Sequence, residues 1–239
     1  MLPENTVENM AAGREASGET AVAVVSGGLD SVTLAYLLAS QGYGLRLLAF
    51  DYGQRHGKEL DYARRCAGRL GAGFDAVDIR GVGGLLSGSA LTDDVEVPHG
   101  HYAAENMGIT VVPNRNAIML SIAYGAAVTD GSALVAAAMH TGDHYVYPDC
   151  RPEFTEAFAA MQARAVEGFG HESLSLYAPF ISGGKEDIVR TGARLGVPFE
   201  ETWSCYEGGD IHCGLCGTCN ERKEAFARAG VPDPTRYRA

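Results

Sequence analysis

Apolar residues in this chain gather in short unbroken runs, separated by longer stretches with helical spacing. Ala21–Val25, Leu45–Phe50, Phe74–Ile79, Ala133–Ala137 and Leu174–Ala178 are the runs. Their shortness and flanking glycines predict strands buried on both faces. Asp30–Gln41 places Leu34, Leu37 and Leu38 on one face of a predicted helix, and Lys58–Leu70 does the same with Leu60, Ala63, Ala67 and Leu70. Asn116–Thr129, Glu153–Glu167, Lys185–Leu195 and Asn220–Ala229 continue the alternation. Strand followed by helix, repeated, predicts an α/β fold: a doubly wound parallel sheet of about five strands with helices on both faces. Residues 80–110 are rich in Gly, Ser and Asp and carry His99 and His101. A connector this long reads as a lid or a contact loop.

Three segments follow: a disordered leader over 1–20, an α/β domain over 21–199, and a cysteine-bearing region over 200–239. The leader has no apolar core of a signal peptide, and the chain has no apolar run long enough to cross a membrane, so the cytoplasm is expected. Lys and Arg number 19 against 30 Asp and Glu, a formal charge of -11 over 239 residues. That balance argues against a nucleic-acid partner, where basic charge supplies most of the affinity. In the cytoplasm the six cysteines need a role other than disulfide bonding.

Val25-Ser26-Gly27-Gly28-Leu29-Asp30-Ser31 lies where the first strand hands over to the first helix. Glycines allow close backbone approach, and the free N–H groups of a helix N-terminus favour an anion. Ser26 and Ser31 add hydroxyls, while Asp30 can cap the helix or hold magnesium. No Walker pattern follows. A tight capped turn is the bland alternative. The whole string resembles the PP-loop of the ATP-pyrophosphatase superfamily, which grips the pyrophosphate of ATP.

Cys205, Cys213, Cys216 and Cys219 have the spacing of a four-thiolate cage, which predicts structural zinc with no open position. A redox pair or an iron–sulfur cluster are the alternatives. Gly214 and Gly217 are expected to supply the turns. His212 sits inside the cluster and could replace one ligand, but four thiolates already suffice. Cys66 reads as core filler and Cys150 as ambiguous.

Further strings accompany these motifs: Phe50-Asp51-Tyr52-Gly53-Gln54-Arg55-His56, Val112-Pro113-Asn114-Arg115-Asn116, Tyr147 to Phe154, Lys185, and Thr202-Trp203-Ser204-Cys205-Tyr206. From about Ala21 to Pro234 the chain resembles the QueC family of 7-cyano-7-deazaguanine synthases. The resemblance implies an adenine nucleotide alpha-hydrolase-like fold, a homodimer, and a carbon–nitrogen ligase that joins ammonia to 7-carboxy-7-deazaguanine at the expense of ATP with Mg2+. It also implies a structural Zn2+ on the four cysteines. Carried over by position, Val25, Ser26, Gly27, Gly28, Leu29, Asp30, Ser31, Val32, Thr33, Leu34 and Ala35 form the ATP loop and helix start. Asp30, Ser31, Arg115 and Lys185 are expected in catalysis, with Asp51, Gln54, Arg55, Asn116, Asp143, Asp149 and Arg151 around the substrates. The bland readings are a helix start for Arg115 and Asn116, a turn cap for Asp51, a solvated helix residue for Lys185 and a surface ion pair for Asp149 with Arg151. Met139 to Val146 departs from the family pattern at His140. That departure keeps open a branch in which a protein amine replaces ammonia, beside a PP-loop ligase acting on tRNA.

Overall fold

The computed structural model describes residues 18–54, 57–86, 88–92 and 105–239. Among the described residues five strands form one wholly parallel sheet: β1 (Thr20–Val24), β2 (Gly44–Asp51), β3 (Gly73–Asp78), β4 (Leu134–Ala136) and β5 (Ser175–Tyr177), in the order β3-β2-β1-β4-β5. The helices are α1 (Leu29–Ser40), α2 (Lys58–Leu70), α3 (Arg80–Gly83), α4 (Arg115–Asp130), α5 (Thr141–His144), α6 (Pro152–Ala165), α7 (Lys185–Leu195) and α8 (Gly217–Ala229).

The strand runs are continuously apolar because alternate residues serve opposite layers. Ala21, Ala23, Leu47, Ala49, Leu134 and Ala136 pack with Leu34, Leu37, Ala63, Ile188 and Phe226 from α1, α2, α7 and α8. Val22, Leu48, Phe50 and Val135 pack with Met119, Leu120, Tyr124 and Phe158 from α4 and α6. β1 is central, and its neighbours β2 and β4 lie on opposite sides. The strand order therefore reverses at β1, which opens a crevice at the carboxyl ends of β1 and β4.

Several element bounds differ from the periodicity. The first strand already begins at Thr20, within the segment expected as leader; the rest of that expectation, over 1–17, lies outside the described residues. The expected loop over 80–110 contains α3 and a 3-10 turn at Glu105–Thr110, while His99 and His101 lie outside the described residues. The last helix starts at Gly217 rather than Asn220, so Cys219 sits on its first turn.

The cysteine region shares the core of the α/β layers. Phe226 meets Phe199 edge-on at 4.9 Å. Arg222 is fully buried and donates to Thr202 Oγ1 at 2.7 Å and to the Phe199 carbonyl at 2.9 Å. A buried guanidinium satisfied in this way fixes the tail to the sheet.

Candidate functional site

The turn after β1 is shaped by packing as much as by its own sequence. Gly27 has φ +84°, and a Cβ there would lie 2.8 Å from both Ala63 N and Tyr62 Cβ of α2. Only glycine meets both demands. Ser31 Oγ donates to the Gly28 carbonyl at 3.2 Å and accepts from Ser26 N at 3.1 Å. Trp203 N donates to the Gly27 carbonyl at 2.9 Å, so the tail holds the turn from outside. Gly28 is the N-cap and brings no side-chain cap; Asp30 does not cap α1. The first N–H groups of α1 are therefore left for a ligand, and the macrodipole favours an anion there.

Val25, Ser26, Gly28, Leu29, Asp30 and Ser31 line a cavity of about 250 Å3. The second half of the expected ATP string does something else. Val32, Thr33, Leu34 and Ala35 are at most 1% exposed and pack into the core, because α1 beyond its first turn is enclosed on all sides by the sheet and neighbouring helices.

Lys185 opens α7 and reaches the cavity wall with its Nζ 2.6 Å from Glu221 Oε2 and 3.1 Å from Asp30 Oδ2. Burial lowers the lysine pKa, but Asp30 and Glu221 outweigh it, so the ammonium stays charged. Burial pushes Asp30 up, and Lys185 with His140 brings it below the usual carboxylate value. Burial leaves Glu221 raised despite Lys185. Asp30 Oδ1 is buried without a hydrogen-bond partner among the described residues. Asp143 also lines the cavity, with Oδ2 3.5 Å from His140 Nε2. His140 Nδ1 accepts from Gly142 N at 3.1 Å, and its Nε2 is buried without a hydrogen-bond partner among the described residues, 3.5 Å from Asp143 Oδ2 and 3.8 Å from Asp30 Oδ2.

Arg115 begins α4 across the cavity. It donates to Tyr52 Oη at 3.4 Å. Burial opposes its charge, but Tyr52, Tyr147 and Tyr206 raise its pKa further. Asn116 N donates to Asp149 Oδ2 at 3.0 Å, and Asn116 Nδ2 to Cys150 Sγ at 3.1 Å. Asp149 thus receives the N-terminus of α4. The Asp149–Arg151 ion pair does not form; Arg151 is exposed and donates to the His144 carbonyl at 2.8 Å. Asp51 accepts from Gly53 N at 3.1 Å, as a turn cap does. Gln54 closes the same turn, donating to the Phe50 carbonyl at 3.0 Å and accepting from Tyr52 N at 2.9 Å, while lining the cavity. Arg55 lies outside the described residues. The fold thus gathers Asp30, Ser31, Gln54, Arg115, Asn116, Asp143 and Lys185 around one space. Asp51, Asp149 and Arg151 are instead engaged in the supporting turns and the helix end.

Glu59, Glu221 and His140 join this constellation without a motif pointing to them. Glu59 stands in the first turn of α2, where an acid looks like an ordinary complement to the helix dipole. It lines the cavity, and burial, opposed by Arg115, pushes its pKa up to about 7. The sign follows from linkage: the unfolded carboxyl ionises near 4.5 and the folded one near 7. Stability is then lost as pH rises through that window, by up to about 3 kcal/mol above it. We expect Glu59→Gln to melt higher than the parent at pH 8 and level with it below pH ~4.5. Equal melting at both pH values would contradict the strained carboxylate.

The four sulfurs of Cys205, Cys213, Cys216 and Cys219 lie within 4.8 Å of one another, all buried. Tetrahedral thiolate bonds of ~2.3 Å require sulfurs about 3.8 Å apart. Cys213 and Cys219 Sγ are 3.9 Å apart. Backbone N–H groups of Leu215 and Cys216 donate to Cys213 Sγ, and that of Cys213 to Cys205 Sγ, which favours thiolates. The set fits a metal. Gly214, at φ +83°, makes the expected turn, whereas Gly217 is the first residue of α8. His212 does not join the four: its Nε2 accepts from Ser204 N at 3.1 Å and its ring stacks on Trp203 at 4.4 Å. Cys66 is buried on α2 with its thiol pushed up to about 12 by desolvation, as core filler would be.

A family model described as queuosine biosynthesis protein QueC matches residues 20–230. The chain is 60% identical over 215 residues to the 7-cyano-7-deazaguanine synthase of Ruegeria sp. (strain TM1040), covering 90% of this chain and 91% of that one. It is 59% identical over 216 residues to the synthase of the same name from Paracoccus denitrificans (strain Pd 1222), covering 90% and 92%. Among solved structures, NMN synthetase from Francisella tularensis superposes with a TM-score of 0.51 at 14% identity, over 97% of this chain and 88% of that one, a likeness of fold. The crevice at the strand reversal, its phosphate-type turn and the thiolate cage thus stand in a chain that belongs to the QueC family of queuosine biosynthesis proteins and is an enzyme of that ligase family.

Proposed function

We propose that this enzyme converts 7-carboxy-7-deazaguanine and ammonia to 7-cyano-7-deazaguanine, using ATP twice. The observation that carries the reading is the meeting of three parts in one cavity: the open N-terminus of α1, the half-buried Lys185 ammonium and the half-buried Arg115 guanidinium. A carboxylate is a poor electrophile. Transfer of AMP to one of its oxygens, releasing pyrophosphate, creates a leaving group. Ammonia then displaces AMP and leaves the amide. The amide oxygen takes a second AMP from a second ATP, and loss of that AMP with a proton gives the nitrile.

The residues divide the work by charge. The α1 N–H groups and the Ser26 and Ser31 hydroxyls suit the phosphates. Lys185 is fixed by Asp30 and Glu221 and offsets the negative charge that develops as pyrophosphate leaves. Arg115 suits the carboxylate or the phosphoryl group attached to it. The unpartnered Asp30 oxygen fits a magnesium ion, which would neutralise phosphate charge when bound. The four cysteines fit zinc, which leaves no open position and so serves structure. The family resemblance supports a homodimer, and the acidic composition supports a small-molecule rather than nucleic-acid substrate.

The test is to incubate metal-loaded protein with the acid, ammonium and Mg-ATP and follow the base by mass spectrometry. The expected course is amide first, nitrile second, with two AMP per nitrile. Synthetic amide that never becomes nitrile would end the two-step scheme. Adenylate that accumulates without nitrile would move the acceptor to another amine.

A further inference from the structure

The carboxylates around the cavity are not equivalent. Asp30 is paired with Lys185, and Asp143 stands beside His140. Glu59 has no hydrogen bond or ion pair within 4 Å among the described residues, yet it lines the cavity with Tyr52, Arg115 and Asn116. Its neighbour in the same helical turn, Asp61, is exposed and pairs with Arg64 at 3.3 Å. Glu59 therefore faces the cavity without a protein donor, and a ligand that shuts solvent out of the cavity has to donate to it.

Its location is held rigidly. The α2 backbone at Glu59 to Ala63 is in contact with Gly27 of the phosphate-type turn. Phosphate belongs at the helix N-terminus and would be repelled by this side chain. The groups suited to Glu59 are paired N–H donors. Two carboxylate oxygens accept two parallel donors, the geometry offered by a ring N–H beside an exocyclic amino group. The substrate proposed above carries such an edge on its aminopyrimidinone ring, away from its own carboxylate. The surrounding Tyr52 and Phe50 rings supply apolar faces for a flat base.

Resting on that substrate reading, we propose that Glu59 is a specificity-determining residue that accepts hydrogen bonds from the ring N–H and 2-amino group of the base. The half-buried carboxylate faces the cavity and meets no protein donor there among the described residues. The base displaces cavity solvent from the carboxylate and its donors take that place, and a base without the 2-amino group leaves half of the acceptor unsatisfied.

The experiment compares wild type and Glu59→Gln on 7-carboxy-7-deazaguanine and on its analogue lacking the 2-amino group. Glutamine keeps the shape but replaces one acceptor oxygen by a donor. For wild type, kcat/KM should favour the amino-bearing acid by about 30-fold. In Glu59→Gln this preference should fall to about threefold or less, through a higher KM for the acid, with the KM for ATP unchanged. Thermal melting of the variant, unchanged or raised, excludes misfolding as the cause. A preference retained at its wild-type size overturns the assignment, as does a rise confined to the KM for ATP. If wild type converts neither base, the substrate reading itself fails, an outcome that the variant is not needed to recognise.

Discussion

Replacing Lys185 by methionine is expected to reduce nitrile formation by ~10^3-fold or more, at saturating ATP and ammonia. Lys185 is the ammonium that touches both Asp30 and Glu221, at 3.1 and 2.6 Å, on the wall facing the α1 N-terminus. In the proposed scheme, the charge developing on the leaving pyrophosphate would lose a fixed counter-charge. Two half-buried carboxylates are also left facing each other, which costs stability, by less than the ~3–5 kcal/mol of breaking a fully buried pair. Lys185→Arg should not rescue the rate, because a planar guanidinium does not fit between two oxygens placed for a compact ammonium. Initial rates, read beside thermal unfolding with and without ATP, separate the two effects. Lys185→Met turning over within about tenfold of wild type would remove Lys185 from the chemistry.

The second large effect is expected from the cysteine cage. Cys219→Ser, or prolonged chelation, should remove about one metal per chain and lower the melting temperature by more than ~10 °C. The reason lies in connection as well as in bond energy. Cys219 belongs to α8, whose Arg222 and Phe226 are buried against the main layers, and Trp203 hydrogen-bonds to Gly27 of the phosphate-type turn. Loss of the cage loosens the tail and, with it, the turn, so activity should fall together with stability. Trp203 is the only tryptophan of the chain, and it packs on Tyr62 and His212 with the cage cysteines nearby. Its emission should shift to the red as metal leaves. Elemental analysis of the native protein decides zinc against iron. Retention of metal, emission and rate in Cys219→Ser would show that the four sulfurs are not a ligand set.

The strands and long helices were legible because each rests on local periodicity. Lys58–Leu70 and Lys185–Leu195 have the bounds that their apolar spacing predicts. α8 was read three residues short because its first turn, Gly217 to Cys219, carries metal-type residues rather than an apolar face. The motif residues also divided by physics that spacing does not contain. Arg115 and Lys185 face one cavity. Asp149 and Asp51 accept backbone N–H groups instead, although all four stand in equally suggestive strings. Val32 to Ala35 belong to the PP-loop-like string by sequence and to the core because α1 is enclosed on all sides.

Sequence alone determined the alternation of strands and helices, the turn that presents a helix N-terminus, and the four thiolates, since each depends on neighbours a few residues apart. Tertiary structure decided which charges meet. Glu221, from the far end of the chain, completes the Lys185 pair with Asp30. His140, after β4, reaches the same group, and Glu59 is turned inward because α2 is seated on Gly27. Charge and burial at such positions are properties of contacts distant along the chain, and local sequence pattern carries no record of them.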